Sequence, residues 1–214
     1  MRKVFWDAPY QQALKTKVAK VEGNRVLLEE TIAFSFSGGQ ESDKATVNGL
    51  PILDSTIENL QIYYSLPDGH NLVQGQDVAM QIDWSRRYKL MRLHFAAELI
   101  LELVTRKYNL ENIGAHIAED KARIDFVCSQ NISTFFEEIL DEYRDIIHKD
   151  LPIHTGFLDI SSQRRYWKID GFAEVPCGGT HVKSTCEVGL VTLKRCNIGS
   201  SKERIEIRLV DTPL

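Results

Sequence analysis

Pro176-Cys177-Gly178-Gly179-Thr180-His181-Val182 is the stretch on which the reading of this chain turns. A Cys and a His four positions apart can close on one metal ion. The thiolate is a soft ligand and the imidazole a borderline one, and together they suit zinc. The two glycines allow backbone conformations closed to other residues, so the loop can fold both side chains inward. A structural zinc site normally takes four protein ligands, so partners must be sought elsewhere.

The partners lie far upstream, in Leu93-His94-Phe95-Ala96-Ala97-Glu98-Leu99-Ile100. The run reads as a helix, which places His94 and Glu98, at i and i+4, on one face. His94, Glu98, Cys177 and His181 thus form a candidate tetrahedral zinc set. The helix alone has a second reading. His94, Glu98, Glu102 and Arg106 step by four, so Glu98 also fits a solvated stripe with a Glu102–Arg106 ion pair. His94 taken alone reads as a hydrogen-bonded core histidine.

The 214 residues allow one large or two small domains, each with a real core. The apolar share of 43% and charged share of 26% are those of a soluble globular protein. No apolar run reaches the roughly 18 residues of a membrane span. The N-terminus has no apolar signal-peptide core, so the expected compartment is the cytoplasm. Cys128, Cys177, Cys186 and Cys196 are irregularly spaced, as free thiols rather than a disulfide framework. A net charge of −4 argues against a protein that coats nucleic acid non-specifically. The acidic excess lies in the first 150 residues, and the remainder is mildly basic. Basic clusters occur at Arg86-Arg87-Tyr88-Lys89 with Arg92, at Arg164-Arg165 with Lys168, and at Lys194-Arg195. They read either as solvated surface or as contacts to RNA phosphates.

Taken in order, residues 1–86 read as short strands. Lys15 to Val21 and Arg25 to Leu28 flank a Glu22-Gly23-Asn24 turn, and Ala45 to Val47 and Leu50 to Leu53 flank Asn48-Gly49. Thr31 to Phe36, Leu60 to Tyr64 and Val78 to Trp84 add further strand candidates. Many short strands with close turns predict a small β-barrel or curled sheet. A boundary near Ser85 to Lys89 opens a second domain, 87–214. Leu90 to Lys107 predicts a helix apolar around much of its circumference, hence buried. Ile113 to Ala118 and Lys121 to Val127 predict a hairpin, and Ile132 to Lys149 a second, amphipathic helix. Arg165 to Ile169, Val188 to Leu193 and Arg204 to Val210 are strand candidates. The fold class is α+β.

One further segment is Glu30-Thr31-Ile32-Ala33-Phe34-Ser35-Phe36-Ser37-Gly38-Gly39-Gln40-Glu41-Ser42-Asp43. Together with CGGTHV preceded by Gly171-Phe172, and with the remote His94 helix, it resembles the editing domain of alanyl-tRNA synthetase and its freestanding AlaX-type relatives. Thr31, Gly38, Gly39, Gln40 and Asp43 match that family's glycine-rich pattern. The length resembles the medium, freestanding form. The resemblance implies an N-terminal small β-barrel followed by an α/β two-layer editing domain with an antiparallel sheet and two main helices. It implies that Thr31, Gly39 and Gln40 face the aminoacyl end of tRNA, and that the metal is zinc. The family's pattern is His-x-x-x-His with Cys-x-x-x-His, and this chain departs from it where Glu98 replaces the second His.

The activity so implied is hydrolysis of mischarged Ser-tRNA(Ala), or Gly-tRNA(Ala), in trans. A synthetase pocket for a small side chain discriminates weakly against close analogues, so a second site must remove the error. The catalytic residues would be His94 and Glu98. As a ligand, Glu98 would add negative charge and weaken the Lewis acidity of zinc. With the metal held by His94, Cys177 and His181 alone, Glu98 would instead be the general base. Its presence also fits a site that has lost metal. Two other functions remain open: a non-hydrolytic relative that binds tRNA ends or another aminoacyl ligand, and a metallohydrolase of small esters or amides that needs no tRNA. The sequence does not set the oligomeric state.

Overall fold

The ten-residue strand Ala13–Glu22 decides the shape of the N-terminal unit. A computed structural model describes residues 1–210, and in it these residues form two units. One comprises Met1–Ser37 and Glu41–Tyr88, the other Gly38–Gln40 and the described residues from Lys89 onward.

The first unit runs β1 (Arg2–Lys3), α1 (Val4–Asp7), β2 (Ala13–Glu22), β3 (Arg25–Leu28), β4 (Glu30–Thr31), β5 (Ala45–Val47), β6 (Leu50–Pro51), β7 (Asp54–Glu58), β8 (Gln61–Ser65) and β9 (Asp77–Ile82). Seven strands form one antiparallel sheet in the order β6-β5-β9-β2-β3-β8-β7. The first half of β2 pairs with β9 and the second half with β3, with a register shift between Val18 and Lys20. Such a bulge bends the strand and increases its twist, so the sheet curls. The two edge strands, β6 and β7, are consecutive in the chain. Between them Ile52 N–H donates to Ala45 O at 2.9 Å and Leu53 N–H to Ser65 O at 2.8 Å, which draws the two edges toward one another. The curled face buries Val18, Val26, Leu28, Val47, Ile62, Tyr64 and Met80. The Asn48-Gly49 turn has positive φ at both residues, as a tight hairpin requires.

Thr31 to Phe36, expected as a strand, pairs only through β4, which lies parallel to β1. Beyond β4 side chains take several of its backbone groups, while Asp43 N–H donates to Phe34 O at 3.0 Å. Asp43 Oδ2 accepts from Phe34 N–H at 2.6 Å, and Arg87 donates through Nη2 to Ile32 O at 2.6 Å. Arg87 also donates through Nη1 to Pro9 O at 3.0 Å and through Nε to Asp43 Oδ1 at 2.9 Å. Both side chains of this ion pair are wholly buried. Arg87 therefore does not belong to a basic surface cluster.

Helix α2 (Trp84–Tyr108) begins earlier than the expected Leu90. Asp83 explains this, because its Oδ1 accepts from Arg86 N–H at 3.1 Å and caps the first turn. The division between the units falls inside this helix, after Tyr88.

The second unit continues with β10 (Glu111–Ile117), β11 (Ala122–Val127), a 3-10 turn (Ile132–Phe135), α3 (Phe136–His148), β12 (His154–Asp159), β13 (Arg164–Ile169), β14 (Ala173–Pro176), α4 (Thr185–Val188), β15 (Val191–Gly199) and β16 (Lys202–Leu209). It holds two antiparallel sheets, β10-β11-β16-β15 and β12-β13-β14, and its two main helices are α2 and α3. The molecule is α+β, as expected. Leu90, Met91, Phe95, Leu99, Ile100 and Val104 of α2 are buried around most of the helix, and Phe95 meets Trp167 of β13 edge-on at 5.1 Å. Ile205 and Ile207 point inward from β16 between more exposed charged neighbours. Strands β7, β12 and β14 were not anticipated. In β7 and β12 almost every residue is exposed, so the alternation that marks a half-buried strand is absent.

Gly38–Gln40 belongs to this second unit although its neighbours in sequence belong to the first. It lies on β10: Ile117 N–H donates to Gly39 O at 2.8 Å, and Gln40 forms a parallel bridge with Ile117. Gly39 has φ +84°, and a Cβ there would stand 2.7 Å from Ala115 O. Only glycine permits that approach.

Candidate metal centre

The second unit brings three of the four expected ligands together. His94 extends from α2, and Cys177 and His181 from the loop after β14. His94 Nε2 lies 3.5 Å from Cys177 Sγ, and His181 Nε2 lies 3.4 Å from the same sulfur. The two imidazoles stack with centroids 5.0 Å apart, and Phe95 meets the His181 ring edge-on at 5.6 Å. All three donor atoms fall within 4.8 Å of one another, and among the described residues no other group of three His, Cys, Asp or Glu does so.

This donor set fits zinc. With bonds of about 2.0–2.3 Å in a tetrahedron, neighbouring nitrogen and sulfur donors stand about 3.5 Å apart. Both sulfur–nitrogen separations, 3.4 and 3.5 Å, meet that value.

Glu98 stands outside the three-residue set but touches it. Its Oε1 lies 3.2 Å from His94 Nε2, the same nitrogen that faces Cys177. The carboxylate is therefore on the donor side of the ring. The opposite nitrogen, His94 Nδ1, is buried with no hydrogen-bond partner. Glu102 and Arg106 form the ion pair expected of a helix stripe, at 3.3 Å.

Burial and charge act against each other here. Burial pushes the His181 imidazole down to about 3, and the neighbouring His94 adds to the effect. Burial pulls His94 down too, but the facing Cys177 and Glu98 outweigh it and raise its pKa to about 10. Burial favours protonation of Glu98, yet the hydrogen bond and charge of His94 hold its pKa at about 2. Burial pushes the Cys177 thiol up. These shifts favour a protonated His94 facing the Glu98 carboxylate, 3.2 Å away, beside a protonated Cys177. A cation would displace those protons, because thiolate and neutral imidazole are the liganding forms.

The loop's glycines act differently from expectation. Neither Gly178 nor Gly179 has positive φ. Gly179 is required by space: a Cβ there would stand 2.0 Å from His94 Cε1 and 2.5 Å from His94 Nδ1. Gly178 has nothing within 4 Å of such a Cβ.

Gln40, expected to face substrate, is wholly buried against the loop. Its Nε2 donates to Thr180 Oγ1 at 2.9 Å, and its Oε1 accepts from Thr180 N–H at 3.2 Å. Gly39 lies beside it on β10. Thr31 belongs to the first unit. Its side chain is buried and its Oγ1 lies 2.6 Å from Tyr64 Oη and accepts from Ala33 N–H at 3.1 Å. Cys128 is buried, and Cys186 and Cys196 are half-buried free thiols outside the cluster. Thr180 is the residue that the sequence reading left without a role. It stood inside the quoted loop, but nothing local ties it to a glutamine 140 positions away.

No protein-family model matches the chain. It is 32% identical over 213 residues to the alanyl-tRNA editing protein AlaX-M of Pyrococcus horikoshii, covering 97% of each chain. It is 30% identical over 225 residues to the AlaX-M of Saccharolobus solfataricus, covering 92% of this chain and 93% of that one. A 28% identical match to the alanine–tRNA ligase of Methanococcus maripaludis takes in 95% of this chain but 25% of the ligase. With its length matched end to end by two such relatives, the chain belongs to the AlaX-type family of alanyl-tRNA editing proteins.

Proposed function

We propose that the protein is a zinc-dependent aminoacyl-tRNA deacylase that hydrolyses mischarged tRNA(Ala) in trans, in the cytoplasm. Ser-tRNA(Ala), or Gly-tRNA(Ala), is the substrate. The observation that carries the reading is the convergence of His94, Cys177 and His181 in a chain that its editing relatives match along almost its whole length. In the reaction, water adds to the ester carbonyl and the bond to the tRNA ribose oxygen breaks. The products are a free amino acid and a tRNA hydroxyl.

His94, Cys177 and His181 would hold the metal, and the position of Glu98 Oε1 against His94 Nε2 makes it the fourth candidate. Bound zinc supplies Lewis acidity and makes a coordinated water easier to deprotonate. If three residues suffice for the ion, the Glu98 carboxylate would take the proton of the attacking water. Selectivity for serine over alanine needs a polar group that meets the extra hydroxyl. Thr31 is assigned that part, which requires it to exchange Tyr64 for substrate, since its hydroxyl is engaged by Tyr64 within its own unit.

The test is deacylation of Ser-tRNA(Ala) compared with Ala-tRNA(Ala), with metal analysis of the same sample. The expected result is about one zinc per chain and preferential release of serine. Fully loaded protein that releases no amino acid would refute hydrolysis and leave binding of tRNA ends. Turnover of simple esters without tRNA would point to a general metallohydrolase.

A further inference from the structure

We propose that Gln40 is a positioning residue for the metal centre: by clasping Thr180 it sets the Cys177–His181 loop against His94. The inference rests on the reading that His94, Cys177 and His181 hold a metal.

Both polar atoms of the Gln40 side chain are engaged by one residue. Nε2 donates to Thr180 Oγ1 at 2.9 Å and Oε1 accepts from Thr180 N–H at 3.2 Å. Gln40 is 0% exposed and Thr180 2%, so water does not compete for either bond. In such a setting each bond is costly to lose, because the partner left behind stays buried and unpaired.

The clasp acts on the ligands through two neighbours. His181 follows Thr180 directly. Gly179 precedes it and fills the space between the clasp and the His94 ring. A Cβ at Gly179 would stand 2.0 Å from His94 Cε1 and 2.7 Å from Gln40 Oε1. The loop is thus pressed between the Gln40 amide and the imidazole, with room for a bare backbone only.

Gln40 is itself fixed from behind. Gly39 O accepts from Ile117 N–H at 2.8 Å, Gln40 bridges to Ile117, and Gly39 lies too close to Ala115 O for any side chain. A continuous chain of contacts therefore runs from the edge of β10 through Gly39, Gln40 and Thr180 to the ligand loop. Metal sites depend on such supports, because ligands must be held at the bonding geometry before the ion arrives.

The experiment compares Gln40→Ala, Thr180→Val, the double variant and Thr180→Ser. Zinc affinity is measured by competition with a chromophoric chelator. The visible spectrum of the cobalt-substituted protein reports ligand geometry. The alkylation rate of Cys177 in metal-free protein, followed by peptide mapping, reports loop position without metal. Gln40→Ala and Thr180→Val should each weaken zinc binding by about 10–100-fold and alter the cobalt bands. The double variant should be no worse than the more damaging single, and Thr180→Ser should restore wild-type values. Losses that simply add would overturn the clasp. Unchanged affinity and spectrum in Gln40→Ala, with a raised KM, would overturn it in favour of direct substrate contact. If wild-type protein binds no zinc, the metal reading fails separately, and alkylation decides. Faster modification of Cys177 in Gln40→Ala but not in Thr180→Ser supports the clasp, and equal rates reject it.

Discussion

Two of the buried polar clusters among the described residues are built on opposite plans. In the first unit Arg87 and Asp43 bury a charge of each sign, and every contact around them joins a donor to an acceptor. The guanidinium reaches Asp43, Ile32 O and Pro9 O, and the carboxylate also takes the Phe34 amide. In the second unit His94, Cys177 and His181 aim metal-donor atoms at one another, and His94 Nδ1 has no partner. The first cluster is complete, and its product is a fixed backbone from Ile32 to Phe34. The second could hold a cation. A buried cluster satisfied within the chain is architecture, whereas one whose lone pairs converge is a binding site.

The contrast breaks most readily at the ion pair. Asp43→Ala strands the Arg87 charge in the core and should cost about 3–5 kcal/mol of stability, while zinc affinity per folded molecule stays near wild type. Denaturant unfolding checks the first statement and chelator competition the second. A loss below about 1 kcal/mol would mean that the pair is solvated in solution.

Metal removal probes the other cluster. Zinc at a hundred to a thousand times its dissociation constant should stabilise the native protein by about 2.7–4.1 kcal/mol. Cys177→Ala should abolish that increment and most of the bound zinc. Calorimetry with and without chelator measures it, and a Cys177→Ala protein that keeps its zinc would remove Cys177 from the site.

Glu98→His should have a smaller effect. If the carboxylate is a ligand, the change should tighten zinc binding, each tenfold gain corresponding to about 1.4 kcal/mol. If it is the base, affinity should stay constant and kcat should fall by about 10²–10⁴-fold. If neither changes, Glu98 is only one more member of the helix stripe that ends in Glu102 and Arg106. Thr31→Val should disturb least. It should leave zinc content intact and lower the preference for Ser-tRNA(Ala), and an unaltered serine preference would exclude Thr31 from specificity.

Local chemistry was legible from the residues. The i, i+4 spacing put His94 and Glu98 on one helical face, and the same spacing across a Gly-Gly turn paired Cys177 with His181. Turns at Gly23 and Asn48-Gly49 were readable because positive φ narrows the choice of residue. Strands β7 and β12 were not readable, because exposure on nearly all sides erases the period of two. The start of α2 was missed although Asp83 is a standard capping residue, since the apolar periodicity begins only later.

What the sequence determined alone was therefore the inventory: α+β content, short curled strands before a buried helix, and two pairs of ligand-type residues at helical spacing. Tertiary structure decided which of those residues meet. It turned Arg87 from surface charge to buried strut, set the Glu98 carboxylate against His94 Nε2, and gave Gln40 a partner in Thr180. It also moved Gly-Gly-Gln out of the unit that flanks it in sequence. The physical reason is one of range. Periodicity and turn chemistry act over a few residues, but a buried polar atom must find its partner wherever folding brings one, here 44 positions away for Arg87 and 140 for Gln40.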